Sequence, residues 1–467
     1  MALDVIRAVG DRGAYANLLL PERLTETGLS GRDAAFATEL TYGTLRWQGT
    51  YDRIIDACVD PASMPLDAVV RDVLRIGCHQ VLSMNVPDHA AVTTTVELAK
   101  RSQARRAAGL INAVLRRIAK STLDDWLEQL TADLEGASDA ALAVRHAHPE
   151  WLVAELRVAL AAQGRPEQEL SEALAANNIP APVTVVARPG LCTVDELIGS
   201  GATRGRWSPY AAILSSGNPG ALAAVRERRA AVQDEGSQLV ALALAAVPVG
   251  TGDAKDTADT ADTADTADTA DTEDTEYWLD MCAGPGGKAG LLAALATPHG
   301  AELEAWEIQP HRARMVQQQV GKSVRVRTVD AAEDTVVKAE SGRFDRVMLD
   351  APCSGAGALR RRPEARWRKS PADLEGLVRG QGRLLRAALR LVKPGGVVAY
   401  VTCSPLLQET VGVVDAVLAD WPGVEQVDAR PLLPDHPPEL GDGPAVQLWP
   451  HLHGTDAMYL NIVRRIA

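Results

Sequence analysis

A chain of 467 residues has material for two to four domains with full cores, and its 46% hydrophobic and 23% charged content excludes both a wholly disordered chain and a membrane protein. Of the net charge of -13, residues 253–276 alone contribute -9 (eight Asp, two Glu, one Lys), which leaves -4 for the rest, so the acidic balance excludes no nucleic-acid partner. Six cysteines without a C-x-x-C pair exclude zinc-ribbon and thioredoxin chemistry and disfavour a disulfide scaffold.

The amino terminus lacks the apolar core of a signal peptide, and the longest apolar run, 239–249, is too short for a membrane span. A cytoplasmic, reduced setting is expected, with neither membrane nor metal. Residues 1–125 carry helical periodicity, as in Leu66, Val69, Val70, Val73 and Leu74 and again in Leu110, Ile111, Val114, Leu115 and Ile118. This predicts an all-α domain. Thr93 to Thr95 are expected to lead into a helix ending in Lys100 and Arg101, followed by Arg105 and Arg106, with Arg116, Arg117 and Lys120 further on. Such a run is what a solvated helix face gives, and equally what neutralises phosphates.

Residues 146–235 predict a small α+β linker domain: helices near 149–164 and 167–178, then the β-branched run 183–187. In residues 253–276 Asp recurs at every third position up to Asp274, with no apolar residue larger than Ala. That composition cannot build a core and predicts a disordered acidic insertion. From 277 onward strands alternate with helices, with strands expected at 277–281, 302–308, 324–329, 344–349 and 397–401. This is the pattern of a doubly wound, Rossmann-like α/β domain, 236–467, in which ligands sit at the carboxyl ends of the strands.

The residues at those ends define a chemistry. Cys282, Ala283, Gly284, Pro285, Gly286, Gly287 and Lys288 form a glycine-rich loop opening into a helix, where free N–H groups and close backbone approach favour a ligand. Glu307, about 20 residues on, is placed for ribose hydroxyls, Asp330 for an adenine amino group, and Asp350 ends the fourth strand. The loop has neither the dinucleotide nor the Walker spacing, and an adenosyl ligand without polyphosphate, S-adenosyl-L-methionine, fits better. Cys353 and Cys403 follow the fourth and fifth strands. Beside a methyl donor, a thiol has a use: carbon 5 of cytosine becomes nucleophilic only after a thiolate adds to carbon 6, and a second thiol or base assists the elimination that follows. Asp350 is placed to bind the cytosine N3 edge. These arguments do not rank the two thiols. Residues 359–369, six cations and one acid around Trp367, are expected to contact RNA by charge and stacking.

The motifs together resemble the Sun-type (Fmu, RsmB-like) ribosomal RNA cytosine-5 methyltransferases of the Nop/Sun group. Carrying the resemblance are residues 282–288, the Asp-Ala-Pro-Cys-Ser-Gly run 350–355, Lys393 to Gly396, Thr402-Cys403-Ser404 and Gln233 to Ser237. Residues 1–125 are similar to the NusB-type RNA-binding domain of that branch. The resemblance implies Cys403 as nucleophile, Cys353 as the residue assisting product release, and RNA, expected to be small-subunit (16S) ribosomal RNA, as substrate. It also implies that 282–288, Glu307, Asp330 and Asp350 form the cofactor site. Three positions depart from the family pattern: Gly284 where Ala is usual, Ala289 where Thr is common, and Glu307 where Asp is common. Methylation of tRNA or another RNA, and a non-catalytic assembly factor retaining the fold, are the alternatives; a small-molecule methyltransferase would need neither thiol nor amino-terminal extension.

Overall fold

The computed structural model describes residues 1–59, 65–215, 217–249 and 275–466. The chain forms two compact units, Met1–Pro180 with Ala358–Pro371, and Ala181–Gly357 with Ala372–Ala467. The first is helical. Its core gathers Ile54, Ile55, Val73, Leu74, Ile111, Leu115 and Ile118 from helices Gly31–Cys58, Ala68–Leu82 and Ala108–Ile118. Helix Ala108–Ile118 shows why: Ile111, Val114, Leu115 and Ile118 recur on one face and are buried, while Arg116 and Arg117 on the other face are exposed. Thr122 and Asp125 close a capping box that starts the next helix, Leu123–Thr131.

Thr93 to Thr95 do not begin a helix. They lie inside Asp88–Lys100, where Thr94 and Thr95 turn their hydroxyls back onto the carbonyls of Ala90 and Ala91, the way a mid-helix Thr satisfies its oxygen. Beyond that helix Arg101, Arg105 and Arg106 are exposed, and Lys100 pairs with Glu97 at 2.6 Å.

Residues 358–371 belong to this helical unit, where Arg360, Arg366 and Arg368 meet carbonyls of the protein itself while Arg362 stays exposed. Arg366 is 1% exposed and donates to the carbonyls of Ala147 and Asn177 and to Asn178 Oδ1. Arg360 donates to Ile179 O, Trp367 Nε1 to Leu45 O, Arg368 to Ala14 O, and Glu364 accepts from Ala16 N–H. Gly49 leaves the room: a Cβ there would lie 2.2 Å from the Trp367 ring. The guanidinium fork satisfies carbonyls as readily as phosphates, and Arg360, Arg366 and Arg368 use it on the protein's own backbone. Burial pushes the Arg366 guanidinium down to about 9.

The segment read as one linker module, 146–235, is divided between the units. Its helices Glu150–Ala161 and Glu169–Ala176 fall in the first. Its strands, β1 (Val183–Ala187), β2 (Ala202–Arg204), β3 (Ala211–Leu214) and β4 (Ala230–Val232), form an antiparallel sheet of order β2-β3-β1-β4 in the second. That sheet shares a core with helix Glu235–Ala246 through Val186, Trp207 and Ala231. The Gln233 to Ser237 motif is its joint: Glu235 accepts the N–H groups of Trp207 and Ser208, and Asp234 those of Gly236 and Asp456.

The large sheet contains β5 (Tyr277–Asp280), β6 (Glu302–Glu307), β7 (Arg325–Thr328), β8 (Phe344–Asp350), β9 (Val392–Thr402), β10 (Val424–Val427), β11 (Val446–Gln447) and β12 (Tyr459–Arg465). Its order is β10-β12-β9-β8-β5-β6-β7, with β11 on β12. Strands β7, β6, β5, β8 and β9 run parallel, and β12 and β10 extend the edge antiparallel. The acidic insertion falls largely on 250–274, outside the described residues. Its last residue, Glu276, is described and bridges to Arg346 at 2.8 Å. Among the described residues no helix is long and apolar enough to cross a membrane.

Candidate active site at the strand ends

The parallel order brings the ends of β5, β6, β7 and β8 to one edge. After β5 the chain turns through 281–286 into helix Gly287–Ala296, whose first turn presents unpaired N–H groups. Glu307, at the end of β6, is 3% exposed; its Oε2 accepts Gly284 N–H at 3.1 Å and its Oε1 accepts Gln309 N–H at 2.9 Å. A Cβ on residue 284 would stand 2.1 Å from that Oε2. Two departures from the family pattern are therefore one: the longer acid fills the space that an alanine methyl would take. Ala289, the third departure, is fully buried in the core.

Lys288, on the first turn, reaches Asp350 Oδ2 at 2.9 Å, joining the glycine loop to the end of β8. Burial works against its charge, but Asp350, Cys403 and Asp280 together hold the ammonium above the usual lysine range. Asp280, at the end of β5, is fully buried with both carboxylate oxygens unpartnered. Burial, aided by the Asp350 charge, pushes it up to about 7. The Cys282 thiol is raised well above its ordinary value, by burial first and then by Asp280, Asp350 and Glu307. Such a thiol is inert, and the residue serves as packing in the loop.

Strands β8 and β9 are parallel neighbours with Asp350 beside Val401. Cys353 and Cys403 lie a few residues past those partners, and their Sγ atoms meet at 3.4 Å. The Cys353 thiol is raised well above its ordinary value, first by its hydrogen bond to Cys403, then by burial and by the charges of Cys403, Glu409 and Asp350. Either sulfur can be the donor across that distance, and Cys403 lies near enough to Lys288 to help hold its charge.

Sequence reasoning missed Glu409. It is fully buried and accepts from Ser354 N–H at 2.7 Å, Ser354 Oγ at 2.5 Å, Ser404 Oγ at 2.7 Å and Gln381 Nε2 at 3.1 Å. The only sequence signal was one acid within an otherwise apolar or neutral stretch, 405–414. Of the predicted residues, the structure joins Lys288 with Asp350, Gly284 with Glu307, and Cys353 with Cys403. Asp330, after β7, stands apart from these pairs and accepts Ala332 N–H at 2.9 Å.

The strand-end set fits an adenosyl cofactor. Ile308, directly after Glu307 at the end of β6, is an apolar side chain left 57% exposed, and residues 282–287 carry no bulky side chain. Residues 282–288, Glu307 and Asp330 would hold the nucleoside. Among the described residues no group of three or more His, Cys, Asp or Glu could hold a metal ion.

Residues 267–464 match the family model for the 16S rRNA methyltransferase RsmB/F, and residues 1–120 that of the NusB family. A Mycobacterium tuberculosis protein described as a methyltransferase is 46% identical over 467 residues, covering 100% of this chain and 96% of its own. The ribosomal RNA small subunit methyltransferase B of Pseudomonas putida is 30% identical over 443 residues, 91% of this chain and 90% of its own. The crystal structure of PH0851 shares the fold, with a TM-score of 0.76 at 22% identity over 99% of this chain and 97% of its own.

Proposed function

Because the chain belongs to the RsmB/F family of ribosomal RNA methyltransferases, we propose that it methylates carbon 5 of a cytosine in small-subunit ribosomal RNA through a covalent Cys403 adduct. It is an S-adenosylmethionine-dependent RNA methyltransferase with a NusB domain. The observation that carries the finer reading is the approach of the two sulfurs, 3.4 Å apart beyond β8 and β9. An enzyme that alkylates a nitrogen or oxygen has no use for a thiolate, whereas carbon 5 of cytosine must first be made electron-rich by addition at carbon 6.

Bound S-adenosylmethionine supplies an electrophilic methyl group. Lys288 holds positive charge near Cys403, favouring the thiolate, whose electron pair forms the bond to carbon 6 of the base. Asp350, fixed by Lys288 at 2.9 Å, meets the N3 edge as a donor: its other oxygen brings a proton to N3, and that hydrogen bond strengthens as the base takes up negative charge. After carbon 5 is methylated its proton must leave to a base; the carbon 6–sulfur bond then breaks and its electron pair returns to Cys403. The thiol of Cys353 donates a hydrogen bond to that departing sulfur.

The test compares Cys403→Ala and Cys353→Ser on labelled small-subunit RNA, with bisulfite sequencing to locate the product. Cys403→Ala is expected to bind cofactor normally and to lose more than about 100-fold in turnover, the lower end of the range for a single catalytic group. Cys353→Ser is expected to accumulate a protein–RNA adduct on a denaturing gel. Adduct with Cys403→Ser and not with Cys353→Ser would reverse the roles, and modification only of tRNA would overturn the substrate.

A further inference from the structure

We infer that Glu409 is a positioning residue that sets Cys353 against Cys403 and leaves the ionised sulfur to Cys403. The inference rests on the reading of the two thiols as the catalytic pair. The two sulfurs end different strands, and the backbone fixes only register: past Asp350 and Val401 it adds Ala351 N–H on Val401 O at 2.8 Å and Gly357 N–H on Cys403 O at 2.9 Å, and the residues beside each sulfur still need a side-chain anchor. Glu409 is that anchor. Its Oε1 takes the N–H of Ser354, the residue after Cys353, and the amide of Gln381, which also donates to Pro352 O, just before Cys353. Its Oε2 takes the hydroxyls of Ser354 and of Ser404, the residue after Cys403. One carboxylate thus grips both turns at the residue next to each sulfur.

Tyr400, on β9, donates to the Glu409 carbonyl at 2.7 Å, so the backbone carrying the carboxylate is itself tied to the sheet. No cation pairs with Glu409 among the described residues. Its charge is held by neutral donors, which leaves its field to act on what lies nearby. What lies nearby is unequal. Cys353 faces Glu409, Asp350, Tyr400 and Cys403, groups that are negative or neutral, and Cys403 faces the Lys288 ammonium. A thiolate is disfavoured at the first position and favoured at the second. A neutral residue at 409 would remove both effects, the grip and the bias.

The experiment uses the full chain without RNA, and reads iodoacetamide alkylation of each thiol against pH by peptide mass spectrometry, together with melting temperature and steady-state kinetics. In Glu409→Gln the amide nitrogen faces donors and cannot accept. The expected result is a folded protein whose Cys403 alkylation midpoint rises by about one pH unit, a tenfold loss of thiolate below it, while Cys353 becomes alkylated faster at high pH. On RNA, kcat should fall by about 10- to 100-fold with the KM for S-adenosylmethionine held within about threefold.

Ser404→Ala severs the arm to Cys403 together with the weaker bonds that the same hydroxyl accepts from Leu406 N–H and Ser354 Oγ, and keeps Ser354 and Gln381 on the carboxylate, so it serves where Glu409→Gln does not fold; it should move the Cys403 midpoint in the same direction. A folded Glu409→Gln with the wild-type alkylation profile, or the same profile in Ser404→Ala when Glu409→Gln is unfolded, overturns the inference. If the profiles shift as expected while the wild type methylates no cytosine in any RNA, the positioning stands and the proposed function fails.

Discussion

Replacing Gly284 by alanine tests whether the glycine and Glu307 are one unit. The new Cβ would sit 2.1 Å from Glu307 Oε2, far inside the ordinary van der Waals separation of about 3.5 Å. Glu307 cannot simply swing away, because it is 3% exposed and its other oxygen holds Gln309 N–H. Either the loop deforms, at the cost of about 1–3 kcal/mol usual for overpacking, or the bond from Gly284 N–H to the carboxylate is lost, worth about 1.5–3 kcal/mol for a charged acceptor. With the cost near 2 kcal/mol, Gly284→Ala should weaken S-adenosylmethionine by about 30-fold, measured by titration calorimetry. Shortening the acid by one methylene withdraws the carboxylate by about 1.5 Å, which returns the separation to a normal value. Glu307→Asp alone should cost about 1 kcal/mol through the weakened bond to Gly284, and the double variant should recover most of the affinity, a coupling of about 1–2 kcal/mol. Additive losses in the double variant would refute the reasoning.

The Asp280 carboxyl is raised to about 7 by burial, so between about 4 and 7 the folded chain holds a proton that the unfolded chain releases, and stability falls as pH rises through that window. Asp280→Asn removes the effect. Its stability relative to wild type should therefore improve from pH 5 to pH 8, by up to about 1.4 kcal/mol per unit within the window; urea titrations at the two pH values check it, and a difference that stays constant or reverses counts against an unpaired carboxylate there. On the helical unit, alanine at Lys100, Arg101, Arg105 and Arg106 should flatten the plot of log RNA affinity against log salt by up to about 0.7–0.9 unit for each phosphate no longer neutralised, read by filter binding. Lys100 should contribute least, since Glu97 already pairs with it. The maximal rate should hold, and an unchanged salt slope would leave this face as solvated helix surface.

The central parallel strands β5, β8 and β9 were legible because each carries a short apolar run, at 278–279, 347–349 and 397–401, followed by a loop with special residues, as strands buried on both faces have to be written. The antiparallel edge was not. Val424–Val427 reads VEQV and is half exposed, and what makes it a strand is its register on β12, with Val427 opposite Ile462. That partner lies far along the chain, and no local window contains it. The linker boundary was missed for a related reason: composition shows where helices give way to strands, near 180, while the division into units depends on which core each element shares.

Charge was the least readable feature. Arg101, Arg105 and Arg106 and the cations of 359–369 have the same composition, yet the first group is exposed and Arg360 and Arg366 in the second are buried on carbonyls. A guanidinium does not encode its acceptor. The interleaved residues do carry a trace: Glu364 and Trp367 are costly in a freely solvated strip and useful in a docked one, where Glu364 receives Ala16 N–H and the indole N–H meets Leu45 O. The same holds at the catalytic edge. Both thiols, Lys288 and Asp350 could be picked out by residue type at a strand end, because reactive groups are few and their positions follow from topology. Glu409 does its work by collecting donors from residues 354, 381 and 404, a relation that exists only after β8, β9 and helix Pro371–Leu391 have packed. The groups proposed to react are thus visible in the sequence, and the carboxylate proposed to aim them becomes visible only when the donors around it converge.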